Sequence, residues 1–360
     1  MKTEIAFIID ALQSVGGAEK VLMAALELFP GAPVYTLVYN RDRFIGTPIL
    51  SHPVVPSYIN RLPFVQHNYR NYLPLMPAAI ERFDLSSYDI LFSYSYAVAH
   101  GILTTPGQRH ISYTFTPMRY AWRDRENGVV SPSLHRWIEG LLNSFRKWDI
   151  ATVQRIDQLA AVSRWIAGWI EHDYQREARV IYPPVDIERF QPQRNRDDYY
   201  ITVSRLVSHK RIDLIVEAFA QLKLPLIVVG EGPEYRRLVH IATDNIRVIG
   251  YQSEASVANL LNKARAFVIA SEEDFGIAVV EAQAAGCPVI AYGRGGVLET
   301  VIDGQTGIFY SEQTVESLIA AVRCFEHRIK EFHQLEIQAN AHRFTKTHFQ
   351  QELISFITQL

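Results

Sequence analysis

Cysteine is scarce in this 360-residue chain: Cys287 and Cys324 are the only two, both among apolar neighbours and without metal-ligand spacing. That excludes a disulfide scaffold or a cysteine zinc site and points to a reducing compartment, with both thiols in the core. Long apolar runs are also missing, for none approaches the ~18 residues that a membrane-spanning helix requires. No basic-then-apolar leader opens the chain, because Met1-Lys2-Thr3-Glu4 runs straight into a strand. The expected location is cytoplasmic, with peripheral attachment to the inner face of a plasma membrane as the membrane-linked alternative. Nor is there an excess of one charge: 36 Lys+Arg stand against 38 Asp+Glu, a net charge of -2. This balance excludes nucleic acid as the expected partner. The split along the chain is uneven, since residues 1–180 carry 18 basic and 16 acidic side chains and residues 181–360 carry 18 and 22. A mildly basic first half suits an anionic surface or acceptor.

What is present reads as a folded α/β protein. With 48% hydrophobic and 21% charged residues, the length fits two domains of roughly 150–200 residues. Short β-branched or aromatic runs at 4–9, 34–38, 89–93, 110–113, 159–163 and 180–182 alternate with helical stretches, the rhythm of a parallel sheet covered by helices. The rhythm repeats at 200–204, 226–229, 247–250, 266–270, 288–291 and 308–310. Prolines and charges from Pro183-Pro184 to Asp198 mark the junction. The expected division is 1–184, 185–342 and a final helix in 343–360 that crosses back to the first domain. Two helices are expected from Thr314 onward.

Three places carry chemistry. Strand 4–9 leads through Asp10 to Gly16-Gly17 and an apolar-periodic helix; a glycine pair there lets a backbone approach an anion at a helix N-terminus. The same pair also suits a plain tight turn, with Glu19 as a first-turn acid facing the helix dipole. After strand 200–204 come Arg205 and Lys210-Arg211. Beyond the carboxyl end of a strand they face the ligand side of an open sheet and suit a diphosphate, or they form a solvated basic loop. After strand 266–270 comes Ser271-Glu272-Glu273-Asp274-Phe275-Gly276, then a helix with Glu281 between Val280 and Ala282. Gly276 lets backbone N–H groups reach phosphate oxygens, Glu273 suits sugar hydroxyls and Glu281 a ribose. A carboxylate in that apolar setting needs a partner.

Taken in order, these pieces resemble retaining glycosyltransferase family 4. The matching segments are Gly16-Gly17-Ala18-Glu19, Thr116-Pro117-Met118-Arg119-Tyr120-Ala121-Trp122, Val180-Ile181-Tyr182-Pro183-Pro184-Val185-Asp186, Val203-Ser204-Arg205-Leu206 with Lys210, and Val228-Val229-Gly230-Glu231-Gly232-Pro233. Glu273 to Glu281 and Ala285-Gly286-Cys287-Pro288 complete the series. The resemblance implies the GT-B architecture, two Rossmann-like doubly wound domains facing each other across a deep cleft, and activity without a metal or cofactor. It implies that Arg205 and Lys210 bind the donor diphosphate, that Glu273 and the backbone at Phe275, Gly276 and Ile277 hold hexose and phosphate, that Glu281 binds the ribose, and that Gly250 and Tyr251 lie near the base.

One position departs from the pattern. Phe115 stands where the family usually has a histidine before Thr-Pro; His100 is a candidate replacement, or a structural histidine after an apolar run. On the acceptor side, Arg119, Tyr120, Trp122 and Arg123 suit a sugar face and a lipid phosphate, or ordinary packing. The apolar stripe Leu134, Trp137, Ile138, Leu141, Leu142, Phe145, Trp148, flanked by His135, Arg136, Arg146 and Lys147, suits an anionic bilayer or a core. The expected activity is transfer of a hexose from a nucleotide-sugar donor, UDP-glucose ahead of GDP-mannose, to a glycan or lipid-linked saccharide acceptor in polysaccharide or glycolipid assembly. A catalytically degenerate sugar-nucleotide-binding protein and a GT-B epimerase are the rival readings.

Overall fold

The computed structural model describes residues 4–122, 132–191, 193 and 196–359, the side chains at 67, 119, 120 and 132–138 excepted. Seven strands build the first sheet: β1 (Ile5–Leu12), β2 (Val34–Tyr39), β3 (Val54–Pro56), β4 (Ile90–Ser95), β5 (Arg109–Thr114), β6 (Gln158–Ala161) and β7 (Arg179–Val180). Their order is β3-β2-β1-β4-β5-β6-β7, parallel throughout. Six build the second: β8 (Tyr200–Val203), β9 (Leu226–Val229), β10 (Ile246–Val248), β11 (Ala266–Ile269), β12 (Val289–Tyr292) and β13 (Gly307–Tyr310). They run β10-β9-β8-β11-β12-β13, again parallel. Both are doubly wound. The direction of strand addition reverses between β1 and β4 and between β8 and β11, where such folds leave a crevice at the strands' carboxyl ends.

Each strand read from the sequence is found within a few residues. β3 is the addition, an edge strand so short and so proline-flanked that no alternation betrays it. Central strands are buried on both faces, as parallel sheets covered by helices must be: β9, Leu-Ile-Val-Val, has no accessible residue. Hydroxyl caps start the covering helices, with Ser163 accepting from Ile166 N at 3.1 Å and Thr314 from Ser317 N at 3.2 Å.

The chain forms two compact units, Met1–Tyr182 with Gln350–Leu360, and Pro183–Phe349. In the first, Ile8, Leu37, Leu91 and Val98 form the core, and Phe7, Phe92, Tyr94 and Tyr113 pack ring against ring at 4.8–5.7 Å between successive centroids. In the second, Tyr200, Phe219, Val228, Val268, Ile290 and Phe325 fill that place. The C-terminal region holds three α-helices, Val315–Arg328, Gln334–Ala341 and Lys346–Thr358, where two were expected; a turn at 329–331 and another at 342–344 interrupt a pattern that reads as continuous. Within the first unit, Gln350 Nε2 donates to Ala24 O at 2.9 Å and Arg179 pairs with Glu352 at 3.0 Å.

The two cysteines part company. Cys287 is buried, and burial pushes its thiol up to about 11. Cys324 is exposed, correcting the expectation of two core thiols: Val322 and Phe325 face the core, and Cys324 falls on the opposite side of the helix. Among the described residues, no helix is long and apolar enough to cross a membrane.

Candidate functional site

In the second unit, the reversal between β8 and β11 brings two loops together. The loop after β8 carries Arg205, exposed and without an ion pair among the described residues, and ends in a single turn, Ser208–Lys210. The loop after β11 carries Ser271 to Gly276. Lys210 Nζ meets both oxygens of Glu273, at 2.6 and 2.7 Å, and the Ser271 hydroxyl donates to the same carboxylate. The two side chains are 17% and 13% exposed, so the pair is shielded from water yet reachable. Arg211, beside Lys210 in the sequence, turns away to Asp213 at 3.5 Å and Gln313 at 3.1 Å.

Glycines hold this loop in place. A Cβ on Gly295, which has φ +88°, would come within 2.4 Å of Glu273 O, and one on Gly296 within 2.5 Å of Asp274 O. The loop after β12 therefore seats directly on the acidic loop, and Gly296 N donates to Glu273 O at 2.6 Å. Arg294 adds an ion pair to Glu272 at 2.8 Å. Phe275 is buried with its ring 5.3 Å from Phe344. Gly276, at φ +92°, begins the helix Ile277–Ala284, whose first N–H groups lie beside Glu273 in the chain. Gly250 accepts from Gly230 N at 2.9 Å, and the next side chain, Tyr251, is 68% exposed.

Glu281 lies within that helix, and its partner is Arg189, 92 residues earlier. Arg189 also pairs with Glu254 at 2.8 Å and lies 4.8 Å from the centroid of the Phe190 ring. The sequence demanded a partner for Glu281 without identifying it. Arg189, Glu254, Ser271, Arg294 and the glycine pair 295–296 were not singled out there; the one available signal was the misfit of Glu281 among apolar neighbours.

The first unit treats its polar groups differently. Asp10, fully buried on β1, accepts the N–H groups of Tyr96, Ala97, Val98 and Ala99 at 2.6–3.0 Å. Burial raises its carboxyl above the ordinary value, while the N–H groups of Tyr96, Val98 and Ala99 and the nearby His100 pull it down. Gly16 caps the helix Gly17–Leu26, its N–H held by Glu19 Oε2 at 2.9 Å; Gly17 is the first helical residue.

His100 is 3% exposed, with Nδ1 against Ser95 Oγ and Nε2 against Asp149 Oδ1, both at 2.7 Å. Asp149 Oδ2 accepts from Trp122 Nε1 and Tyr174 OH, also at 2.7 Å. This network engages the polar atoms of both side chains, with His100 enclosed and Trp122 half-buried. Phe115 packs 5.3 Å from Tyr113 and 6.3 Å from Tyr94. The side chains of Arg119 and Tyr120, Arg123, and residues 134–138 of the amphipathic stripe lie outside what is described. Of that stripe, Phe145 is buried and Leu141 is exposed.

Parts of this chain are similar to known proteins. Residues 185–342 match the family Glycosyl transferases group 1. An uncharacterized glycosyltransferase of Methanocaldococcus jannaschii is 29% identical over 169 residues, 45% of this chain and 47% of that one. A glycogen synthase of Mycobacterium tuberculosis is 27% identical over 253 residues, 65% of this chain and 59% of that one. The chain thus spans about half the length of the curated relatives it matches. Among solved structures, HepE of Anabaena in complex with UDP and glucose has a TM-score of 0.73 at 17% identity, covering 99% of this chain and 100% of that one. That likeness bears on the fold, which is the α/β GT-B architecture of two parallel sheets.

Proposed function

We propose that this protein is a retaining glycosyltransferase that moves a hexose from a nucleotide-sugar, UDP-glucose ahead of GDP-mannose, to a glycan or lipid-linked acceptor. The observation that carries the reading is the Lys210–Glu273 pair where the second sheet reverses, inside the segment that matches Glycosyl transferases group 1. An ammonium beside a carboxylate at the carboxyl ends of parallel strands, next to a helix N-terminus, suits a diphosphate bonded to a polyhydroxyl ring. The glycogen synthase relatives and the UDP-glucose held by the structural neighbour favour a glucosyl donor.

In this reading Arg205 and Lys210 meet the diphosphate and neutralise the charge that grows on its leaving oxygen. Glu273 accepts from a hexose hydroxyl, the N–H groups near Phe275, Gly276 and Ile277 bind phosphate, Glu281 receives the ribose, and Gly250 with Tyr251 borders the base. The acceptor hydroxyl attacks the anomeric carbon on the face the diphosphate leaves, its proton passing to the departing phosphate oxygen, and configuration is retained. Arg119 and Tyr120 are assigned to the acceptor, whereas His100 and Trp122 support the fold. Gly16 and Gly17 are assigned to donor binding. The proposed setting is cytoplasmic, with peripheral contact to an anionic membrane.

A second reading, a sugar-nucleotide-binding protein without turnover, is favoured by Phe115, which carries a hydrocarbon ring in an aromatic cluster. Incubation with UDP-glucose, UDP-galactose, UDP-N-acetylglucosamine and GDP-mannose, with and without acceptor extracts, separates the two. Release of nucleoside diphosphate is expected from one donor; tight binding with no release from any donor overturns the enzyme.

A further inference from the structure

We infer that Arg189 is a positioning residue for nucleotide recognition, a fork that sets the Glu281 carboxylate toward a ribose; this rests on the reading of Glu281 given above. Three observations support it. The guanidinium holds Glu281 through Nη2 and Glu254 through Nη1, and its Cζ lies over the Phe190 ring, 4.8 Å from the centroid, so three contacts fix the side chain. Arginine alone among side chains offers such a rigid planar fork. Glu281 and Arg189 are 12% and 16% exposed, whereas Glu254 is 59% exposed; the shielded end of the chain of charges is the one assigned to the ligand.

The third observation is a cost. Arg189 Nε is buried with no hydrogen-bond partner among the described residues, an arrangement that stability alone disfavours. A shorter or unforked cation at this position would avoid the buried N–H, yet would not bridge two carboxylates and stack on a ring at once. Fixing the carboxylate in advance lowers the ordering cost when a ribose arrives.

The test uses calorimetric titration of the full chain with UDP and GDP and with the 2′,3′-dideoxy form of each, in wild type, R189M, R189K, E281Q and R189M/E281Q. For whichever base binds, E281Q and R189M should each weaken the ribonucleotide about tenfold and leave the dideoxy form within twofold. R189K should fall between them and wild type, and the double variant should lose no more than E281Q, since both act on one contact. In turnover assays R189M should raise KM for the donor with kcat within twofold. R189M binding the ribonucleotide like wild type while E281Q is impaired overturns the inference, as does R189M or R189K weakening ribose and dideoxy forms equally. An E281Q variant that shows no ribose-dependent loss, or a wild type that binds neither nucleotide, instead removes the underlying site and the inference with it.

Discussion

The two units share a strand order but use their polar residues in opposite ways. Around the reversal between β1 and β4, Asp10 is consumed by four backbone N–H groups of its own unit, and buried Asp149 gathers His100, Tyr174 and the half-buried Trp122. Around the reversal between β8 and β11, the charges are paired at the edge of solvent, Lys210 with Glu273 and Arg189 with Glu281. Asp10 and Asp149 are enclosed by donors of their own unit, whereas the paired charges of the second unit keep part of their surface toward solvent. Topology places the crevice, and side-chain satisfaction decides whether it is open to a ligand.

The largest effect that sharpens this contrast is on stability. Asp10→Ala strands four buried N–H groups and should cost on the order of 4 kcal/mol in denaturant unfolding of the first unit, leaving nucleotide affinity of the folded protein within twofold. A neutral outcome would mean the loop 96–99 is not organised by Asp10. Next, Lys210→Ala or Glu273→Ala should slow donor turnover about a hundredfold, roughly 2.7 kcal/mol, with the melting temperature shifted by no more than about 4 °C. Loss of stability instead of rate would erase the distinction between the units.

Acid should strike the first unit first. Burial lowers His110 to about 3, with help from His100 and Arg155, while the unfolded chain titrates near 6.5. A depressed folded value means that its stability is fully present above about pH 6.5 and is lost as pH falls toward 3, roughly 2 kcal/mol by pH 5. Thermal melts across that window should show this slope, and His110→Gln should flatten it. A smaller effect is expected of Phe115→His, which should raise donor hydrolysis by up to about tenfold; complete indifference in a hydrolysis assay removes that position from the site. Smallest of all, a chromogenic thiol reagent should label Cys324 promptly and Cys287 only on unfolding, as burial and a thiol pushed up to about 11 require.

Legibility followed the range of the interactions. The strands of both sheets and the helix after Gly276 were readable because apolar runs and glycine turns are local signals. Glu273 and Glu281 stood out as acids in a strand-to-helix context and within an apolar helix. Arg189 did not, because no spacing rule links residues 92 apart. His100 looked available in the sequence since nothing nearby announces Asp149, 49 residues later, as its partner. The short edge strand β3 and the breaks that divide the C-terminal region into three helices were hidden for the same reason: tertiary contacts settle them, not periodicity.

By itself the sequence determined two α/β halves, the acidic and basic loops of the second half, and the need of Glu281 for a companion, because those depend on residue type and short-range pattern. Tertiary structure alone decided that Lys210 clasps Glu273, that Arg189 answers Glu281, and that Asp10 and His100 are enclosed by partners of their own unit. A charge finds its counterpart only when strands distant in sequence lie side by side, and burial then decides whether that counterpart leaves it reachable.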